Sequence, residues 1–244
     1  MLHRSYRLLL LAAVALLAAA CGQVDLNAAV ATYREAKGCC ATPDQLTYAK
    51  LPANADTLFA VAPTDPMVDF GPDGRSYCSA FELPPAQSDY LLVVRSYMFA
   101  DRSLPPNWAF FFPVITLLDA DKRPVASSDW HRATFRQSTL TDEPGRNHRL
   151  EVTFPIRVAG KARYLVVHAA AETIGEKQHF TTMVAGTVIP SGKIFVVTGG
   201  QTADEDVTGA PFTPPEGLRL RMVSLRLPGA AGGEQPSPCG DCRP

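Results

Sequence analysis

The sequence has few of the residues from which catalytic and metal sites are built. Only five of its 244 residues are histidine, and no two of them have the i, i+4 spacing of a helical zinc pair. The chain has no Gly-x-Ser-x-Gly segment, the sharp turn that presents a nucleophilic serine in many hydrolases. We therefore predict a protein that is not an enzyme, with no catalytic residues, no bound metal and no cofactor.

Net charge is also nearly absent from the chain. Lysine and arginine together number 23, and aspartate and glutamate number 24, which gives a formal net charge of -1. This balance argues against strong electrostatic attraction to nucleic acid or to anionic lipid, so we expect no nucleic-acid partner. Hydrophobic residues make up 46% of the chain and charged residues 19%, proportions that are typical of a globular domain rather than a disordered one.

Long apolar runs are missing except at the start of the chain. A run over residues 8–20 follows Arg4 and Arg7 and ends in three small residues before Cys21. It is shorter than the ~20 residues of a membrane-spanning helix, and it has the layout of a secretory signal peptide. We predict that residues 1–20 are a signal peptide and that Cys21 is the acylated first residue of a mature bacterial lipoprotein.

The alternative is soluble export, with Cys21 as an ordinary thiol. Ala18 favours it, because lipoprotein signals usually carry leucine at that position. Gly22, which follows the cysteine in place of an aspartate, is typical of outer-membrane sorting in enteric bacteria. The expected location is the periplasmic face of the outer membrane, with the lipid anchor as the membrane contact. That compartment is oxidising and lacks ATP, which argues against kinases and NAD enzymes.

Six cysteines are present, and five remain if lipid takes Cys21. The last two form a Cys-x-x-Cys at the end of the chain, where no strand or helix follows to build a redox site around it. We predict a local disulfide there, and a bridge from one of the paired upstream cysteines to Cys78 is a second option. The sequence leaves the connectivity open among the disulfide candidates Cys39, Cys40, Cys78, Cys239 and Cys242.

The remaining chain divides into three parts. Residues 21–45 form a lipid-anchored tether with a short helix, since the composition from Val24 to Lys37 is helical and Gly38 follows as a stop. Residues 46–228 form the main domain, and residues 229–244 form a flexible tail rich in proline, glycine and cysteine. The 21 prolines and 17 glycines interrupt the chain too often for long helices.

Hydrophobic periodicity predicts an all-β main domain. Residues 150–156 alternate with a period of two, as half-buried strands do, and residues 58–61 and 76–83 are further strands. Other segments are apolar on both faces, which is typical of strands that are covered on both sides: 90–94, 110–118 and 164–168. The alternation that starts at Leu218 changes phase at Met222, which predicts a β-bulge or a crossing between sheets. The expected architecture is an antiparallel, jelly-roll-like β-sandwich.

Two tryptophans are the candidate ligand-binding residues. Trp108 and Trp130 both occupy predicted loops, where exposed aromatic faces can stack on sugar rings, and the alternative for each is packing at the edge of the core. Near Trp130, the segment from Ser127 to His131 holds serine, aspartate and histidine together, but adjacency in sequence is not triad geometry. A polar loop is the better interpretation, so an envelope hydrolase that uses His131 or His168 is the less favoured function.

The segments 113–121, 162–168 with 172–178, and 217–222 are the main elements of a resemblance that runs in order over residues 39–227. Their sequences resemble the maltose operon periplasmic protein family, the MalM-like proteins, in its lipoprotein branch. This resemblance implies an envelope β-sandwich linked to maltose and maltodextrin uptake, without an established activity and without catalytic residues to transfer. The expected function is a lipid-anchored, non-enzymatic protein that binds a glycan or an envelope protein. The alternative is a structural subunit that docks on an outer-membrane or cell-wall assembly.

Overall fold

The structure is a computed structural model of the chain. It describes residues 25–36, 41–53, 55–71, 74–85, 90–100, 107–137, 148–156, 161–184, 188–191, 194–197 and 201–224. The predicted signal peptide, the anchor Cys21 and the tail with Cys239 and Cys242 lie outside these residues, as do Cys39 and Cys40. In the described part, no helix is long and apolar enough to cross a membrane.

The prediction of an all-β, sandwich-like fold is confirmed. Sheet I contains β1 (Ala49–Lys50), β3 (Met67–Asp69), β4 (Arg75–Glu82), β8 (Pro113–Leu118), β9 (Pro124–Ser127) and β12 (Tyr164–Ala169). Sheet II contains β2 (Asp56–Phe59), β5 (Tyr90–Tyr97), β10 (Thr134–Gln137), β11 (His148–Ile156) and β17 (Leu218–Ser224). Sheet III contains β6 (Phe99–Ala100), β7 (Trp108–Phe110), β13 (Lys177–Val184) and β16 (Gln201–Gly209). A separate hairpin pairs β14 (Val188–Ser191) with β15 (Ile194–Val197).

Most strand pairs are antiparallel, as expected for a sandwich. The order in sheet I is β1-β4-β12-β8-β9, with β3 also paired to β4, and the order in sheet II is β10-β11-β5-β17-β2. Sheet III has the order β13-β16-β7-β6. Two pairs are parallel, β1 with β4 and β7 with β16. Both parallel pairs are only two residues long. The first adds β1 at the edge of sheet I, and the second joins the two antiparallel halves of sheet III.

The predicted N-terminal helix is present as α1 (Leu26–Glu35). It begins where the Asp25 side chain accepts a hydrogen bond from the Ala28 amide at 3.0 Å, which satisfies one of the free amide groups of the first turn. Its buried residues form one stripe that joins the main core, namely Leu26, Ala29, Val30 and Tyr33. A ten-residue helix is marginal alone in water, so this packing is what holds it.

The central core lies between sheets I and II. Sheet II contributes Leu92, Val94, Leu218 and Leu220, each fully buried. Sheet I contributes residues from its three middle strands to the same cluster: Phe81, Ile115, Leu117, Leu165 and Val167. Each of these alternates along its strand with a residue on the opposite face, as the period-two patterns predicted.

The second face of sheet I is buried as well. Its middle strands present a second apolar cluster, which includes Cys78, Ala80, Leu118 and Val166. Ala41, Leu46, Tyr48, Val68 and Phe70 cover it. All six residues of β8 are therefore buried, and five of the six in β12. The prediction that these segments are covered on both sides is confirmed.

The predicted strand over residues 110–118 is two strands that belong to different sheets. β7 ends at Phe110 in sheet III, and β8 begins at Pro113 in sheet I. Proline cannot donate a ladder hydrogen bond, and the first residue of a strand is one of the places where it is tolerated. All three phenylalanines around this break are fully buried, Phe110, Phe111 and Phe112.

The predicted bulge at Met222 is wrong. The register between β17 and β5 is regular from Leu218 opposite Ser96 to Ser224 opposite Tyr90. The strand keeps its phase, so Val223 faces outward and is 41% exposed. The second half of the predicted pattern, from Leu225 onward, lies outside the described residues.

After β12 the chain forms a turn of 3₁₀ helix at Ala171–Thr173 and then enters β13. Ile174 forms a bridge with Gly209, and the Gly209 amide donates to the Glu176 carbonyl at 3.0 Å. A Cβ atom at position 209 would lie 1.9 Å from the Thr173 carbonyl oxygen. Glycine is therefore required at position 209 by the close approach of two backbones.

Candidate functional site

A polar cleft lies between α1 and sheet III. Its volume is about 590 Å³, which falls within the usual range of small-molecule sites. The apolar edge of α1 forms its floor with Leu26 and Val30. Its hydrogen-bonding groups come from α1, from β13 and β16, and from the residue before β7. They are Asn27, Arg34, Glu35, Asn107, Lys177 and Thr208. The cleft thus combines amide, hydroxyl and charged groups around a small apolar surface.

Three contacts fix α1 in place beside the cleft. The Tyr33 hydroxyl donates to the Arg75 carbonyl at 2.6 Å, and the Arg75 guanidinium donates to the Ala36 carbonyl at 3.0 Å. Gly175 has a φ of +81°, and a Cβ there would lie 2.9 Å from the Val30 side chain. Burial raises the pKa of Tyr33 despite the nearby Arg75 charge. The tyrosine therefore keeps its proton for this hydrogen bond.

The sheet face that borders the cleft continues into a histidine-aspartate pair. Lys177 lies opposite Thr208 in the β13–β16 register, and His179 lies opposite Asp206 two positions further on. His179 Nδ1 is 3.0 Å from Asp206 Oδ1, and both side chains are largely exposed. Because alternate residues of a strand share a face, this pair extends the polar surface of the cleft along sheet III.

Trp108 lies next to this cleft in the sequence but does not line it. It is the first residue of β7 and follows the cleft residue Asn107. Its side chain is 44% exposed, one of the largest exposed hydrophobic side chains in the described chain. The exposure leaves the ring able to stack on a ligand. Because Ala109 lies opposite Thr208 in the β7–β16 register, however, Trp108 faces the other side of sheet III, the side of Gln178, and points away from the cleft.

Trp130 is enclosed by its neighbours. Its ring packs edge-on against Phe112, with centroids 5.5 Å apart, and the His131 ring stacks on it at 3.9 Å. Its indole nitrogen donates to the Glu172 carboxylate. This arrangement corresponds to the core-edge packing that the sequence analysis gave as the alternative to sugar stacking. One face of the ring is already occupied.

The serine, aspartate and histidine near Trp130 do not assemble into a triad. His131 Nδ1 lies 2.9 Å from Asp129 Oδ1 on the surface, and this contact lowers the pKa of Asp129. Ser128 Oγ accepts from the Ile115 amide at 2.8 Å, and Ser127 Oγ lies 3.3 Å from Thr116 Oγ1. Both serines are thus engaged by β8, as in the polar loop predicted for this segment.

His168 is a core residue. It is fully buried and stacks on Phe70 with ring centroids 3.6 Å apart. Its Nε2 lies 3.0 Å from Thr116 Oγ1, and its Nδ1 lies 3.1 Å from the Ala169 carbonyl. Burial lowers its pKa to about 4. The imidazole is therefore neutral at neutral pH and out of reach of a substrate.

Cys78 lies directly opposite His168 in the register of β4 and β12. Its thiol is free and buried, and its sulfur lies 3.5 Å from the Pro66 carbonyl. Burial raises its pKa to about 12, so the thiol stays protonated. A reactive thiolate–imidazolium pair requires the opposite shifts in both groups. Because Cys39 and Cys40 lie outside the described residues, the bridge to Cys78 stays a prediction.

Among the described residues, no group of three or more histidine, cysteine, aspartate or glutamate side chains is arranged to hold a metal ion. The comparisons with family models, curated proteins and solved structures found no match. The resemblance to the MalM-like family therefore stays a prediction from the strand sequences.

The sequence analysis missed the cleft residues. Asn27, Asn107, Lys177 and Thr208 are spread over most of the chain and carry no motif. The partial signal was Asn107 beside Trp108, an amide next to an exposed aromatic. The other three are recognisable only once α1 is docked on sheet III, because their proximity depends on tertiary packing.

Proposed function

We propose that this protein is a lipid-anchored, non-enzymatic envelope protein that binds a glycan, of the maltodextrin or peptidoglycan class, in the cleft between α1 and sheet III. The polar cleft carries the proposal. Sugars present hydroxyl groups and an apolar ring face, and sites for small molecules combine a few oriented polar groups with apolar surface. The cleft supplies amide and hydroxyl groups around Leu26 and Val30.

The position of α1 relative to the predicted anchor supports this location. Four residues lie between Cys21 and Leu26, and five residue steps of extended chain reach at most about 18 Å. Leu26 and Asn27 line the cleft. Acylation of Cys21 would therefore hold the cleft close to the membrane surface, facing polymers of the envelope.

Binding is tested by isothermal titration with maltodextrins and with soluble peptidoglycan fragments. We expect one of these glycans to bind, and Asn107→Ala and Lys177→Ala each to weaken it about 2- to 10-fold, which corresponds to the loss of one hydrogen bond. Gln178→Ala is the matched control, because residue 178 follows Lys177 on β13 and faces the other side of sheet III. Absence of heat with every glycan, or equal effects of Lys177→Ala and Gln178→Ala, would contradict the proposal.

The anchor is tested separately by mass spectrometry of the mature amino terminus. We expect acylated Cys21 as the first residue, and loss of membrane fractionation in Cys21→Ser. An unmodified amino terminus would leave the glycan proposal intact and assign the protein to soluble export.

A further inference from the structure

Sheet II has one buried face and one arginine-rich face. On β17, the fully buried Leu218 and Leu220 alternate with Arg219 and Arg221. Because successive residues of a strand point to opposite faces, both arginines lie on the side away from the core. Arg95 lies opposite Arg219 on the neighbouring strand β5. The outer face of sheet II thus carries three arginines on adjacent strands.

Asp56 on β2 contacts two of these arginines. It accepts a bidentate pair of hydrogen bonds from Arg219, with Nη2 and Oδ2 2.8 Å apart, and lies 3.3 Å from the Arg221 Nε. These contacts and the nearby Arg95 hold the pKa of Asp56 below its usual value. Asp56 therefore supplies one negative charge beside the two arginines of β17.

The β-sheet register extends this pattern across sheet II. On β11, Glu151 lies opposite Arg95 and Arg149 lies opposite Tyr97, and on β10 Arg136 lies opposite Arg149. By register, the outward positions of sheet II therefore include five arginines and two acidic residues, Asp56 and Glu151. The whole chain has a net charge of -1, so positive charge is concentrated on this sheet rather than evenly distributed.

Exposed apolar side chains accompany the arginines. Leu58 on β2 is 42% exposed and lies opposite Arg219, and Val223 on β17 is 41% exposed. Both belong to the outward-facing positions, since Val223 continues the phase of Arg219 and Arg221. They are two of the four large hydrophobic side chains that are exposed in the described part of the chain. The face therefore offers charge and apolar contact together.

We propose that the outer face of sheet II binds the headgroups of an anionic phospholipid bilayer. Arginine forms bidentate hydrogen bonds with phosphate, and basic residues near an anionic membrane each contribute about 1 kcal/mol. Leucine and valine on the same flat face can enter the interfacial region. The bilayer as occupant, rather than an acidic protein, rests on the proposed function, because the anchor would hold this domain against a membrane.

This interaction is compatible with a chain of almost neutral net charge. Surface charges act over about 10 Å at 0.1 M salt, so a membrane in contact with sheet II is attracted by that face and only weakly repelled by the rest. The contact would supplement the anchor and fix the orientation of the domain on the bilayer.

Sedimentation with vesicles tests the proposal. Every protein in this experiment carries Cys21→Ser, because an acyl anchor would conceal a weaker membrane contact. The residues before position 21 are therefore the same in every variant. We expect this chain to sediment with vesicles of 30% phosphatidylglycerol in phosphatidylcholine more than with pure phosphatidylcholine, and less as salt rises. Arg219→Gln and Arg221→Gln should each lower the partition coefficient about fivefold, and Leu58→Ser with Val223→Ser should lower it further.

Arg132→Gln is the matched control, since this exposed arginine lies on the 3₁₀ turn after β9 and outside sheet II. Equal sedimentation with both vesicle types, or equal losses for Arg132→Gln and Arg221→Gln, would overturn the proposal. If the chain bound a polyglutamate resin, was eluted from it by salt and did not bind vesicles, the face would be assigned to an acidic polypeptide instead. Glycan titration of the same variants distinguishes a failure of this proposal from a failure of the glycan site, because the variants leave the cleft unchanged.

Discussion

The strands β8 and β17 have comparable lengths and apolar content, yet they sit in different environments. All six residues of β8 are buried, because sheet I is covered by the central core on one face and by residues 41–48 and Phe70 on the other. On β17, buried leucines alternate with partly exposed arginines, whereas Val93 and Tyr97 on the outward face of the central strand β5 are buried. The outer face of sheet II is therefore covered in part and exposed along β17 and β2. Sheet I contributes buried surface on both faces, and sheets II and III carry the surfaces proposed here for ligand and membrane binding.

The largest expected effect tests this difference with substitutions at adjacent strand positions, which face opposite sides of each sheet. Leu165→Ala and Val166→Ala alter opposite faces of sheet I, and both residues are fully buried. We expect losses in the free energy of unfolding of about 2–5 and about 1.5–3 kcal/mol respectively. In sheet II, Leu220→Ala should cost as much as Leu165→Ala, while Arg221→Ala should cost less than about 1 kcal/mol. Urea denaturation measures all four, and a Val166→Ala cost no greater than that of Arg221→Ala would refute two-sided burial.

The next effect concerns the buried histidine of sheet I. The pKa of His168 is about 4 in the folded chain, against an ordinary value of 6.5. Between these pH values the unfolded state binds the proton and the folded state does not, so stability is full above pH 6.5 and falls as the pH decreases. At 1.36 kcal/mol per pKa unit, the loss approaches about 3 kcal/mol near pH 4.

Urea denaturation at pH 7.5, 6.5, 5.5 and 4.5 measures this dependence. His168→Gln should flatten the curve over this window. If wild-type stability stays level from pH 6.5 to pH 4.5, the histidine is not held neutral by burial and the closed second face of sheet I is wrong.

The smallest effect is expected on the outer face of sheet II. Asp56→Asn removes the charged partner of Arg219 and Arg221, and these side chains are a quarter or more exposed. Exposed ion pairs are screened by water, so we expect a loss below about 1 kcal/mol. The loss should shrink in 0.5 M salt and at pH values below the lowered pKa of Asp56, where the wild-type carboxylate is protonated. A loss above 2 kcal/mol that resists salt would show that this face is covered.

Much of the fold could be predicted because the alternation of apolar and polar residues along a strand indicates whether one or both of its faces are buried. β11, β12 and β4 lie within a few residues of their expected bounds, and α1 lies within the predicted helix. Two expectations were wrong. Pro113 separates two strands that join different sheets, and Val223 stays in phase although its neighbours suggest a bulge. The local pattern of hydrophobic residues does not indicate which sheet a strand joins.

The candidate sites were less predictable than the fold. Trp108 is exposed as anticipated, but Trp130 is packed between Phe112 and His131. The surroundings of His168 could not be predicted from its local sequence, since it is packed against Phe70 and Thr116, which are distant in the sequence. The cleft and the arginine-rich face likewise combine residues that are far apart in the chain.

The sequence by itself determined the all-β class, the helix before it and the alternation that buries one or both faces of each strand, because these follow from the order of apolar and polar residues along a short segment. Only the tertiary structure decided how strands are grouped into sheets, which polar side chains meet in the cleft and where the arginines gather. Those features depend on contacts between residues that are distant in the chain, and no short segment contains them.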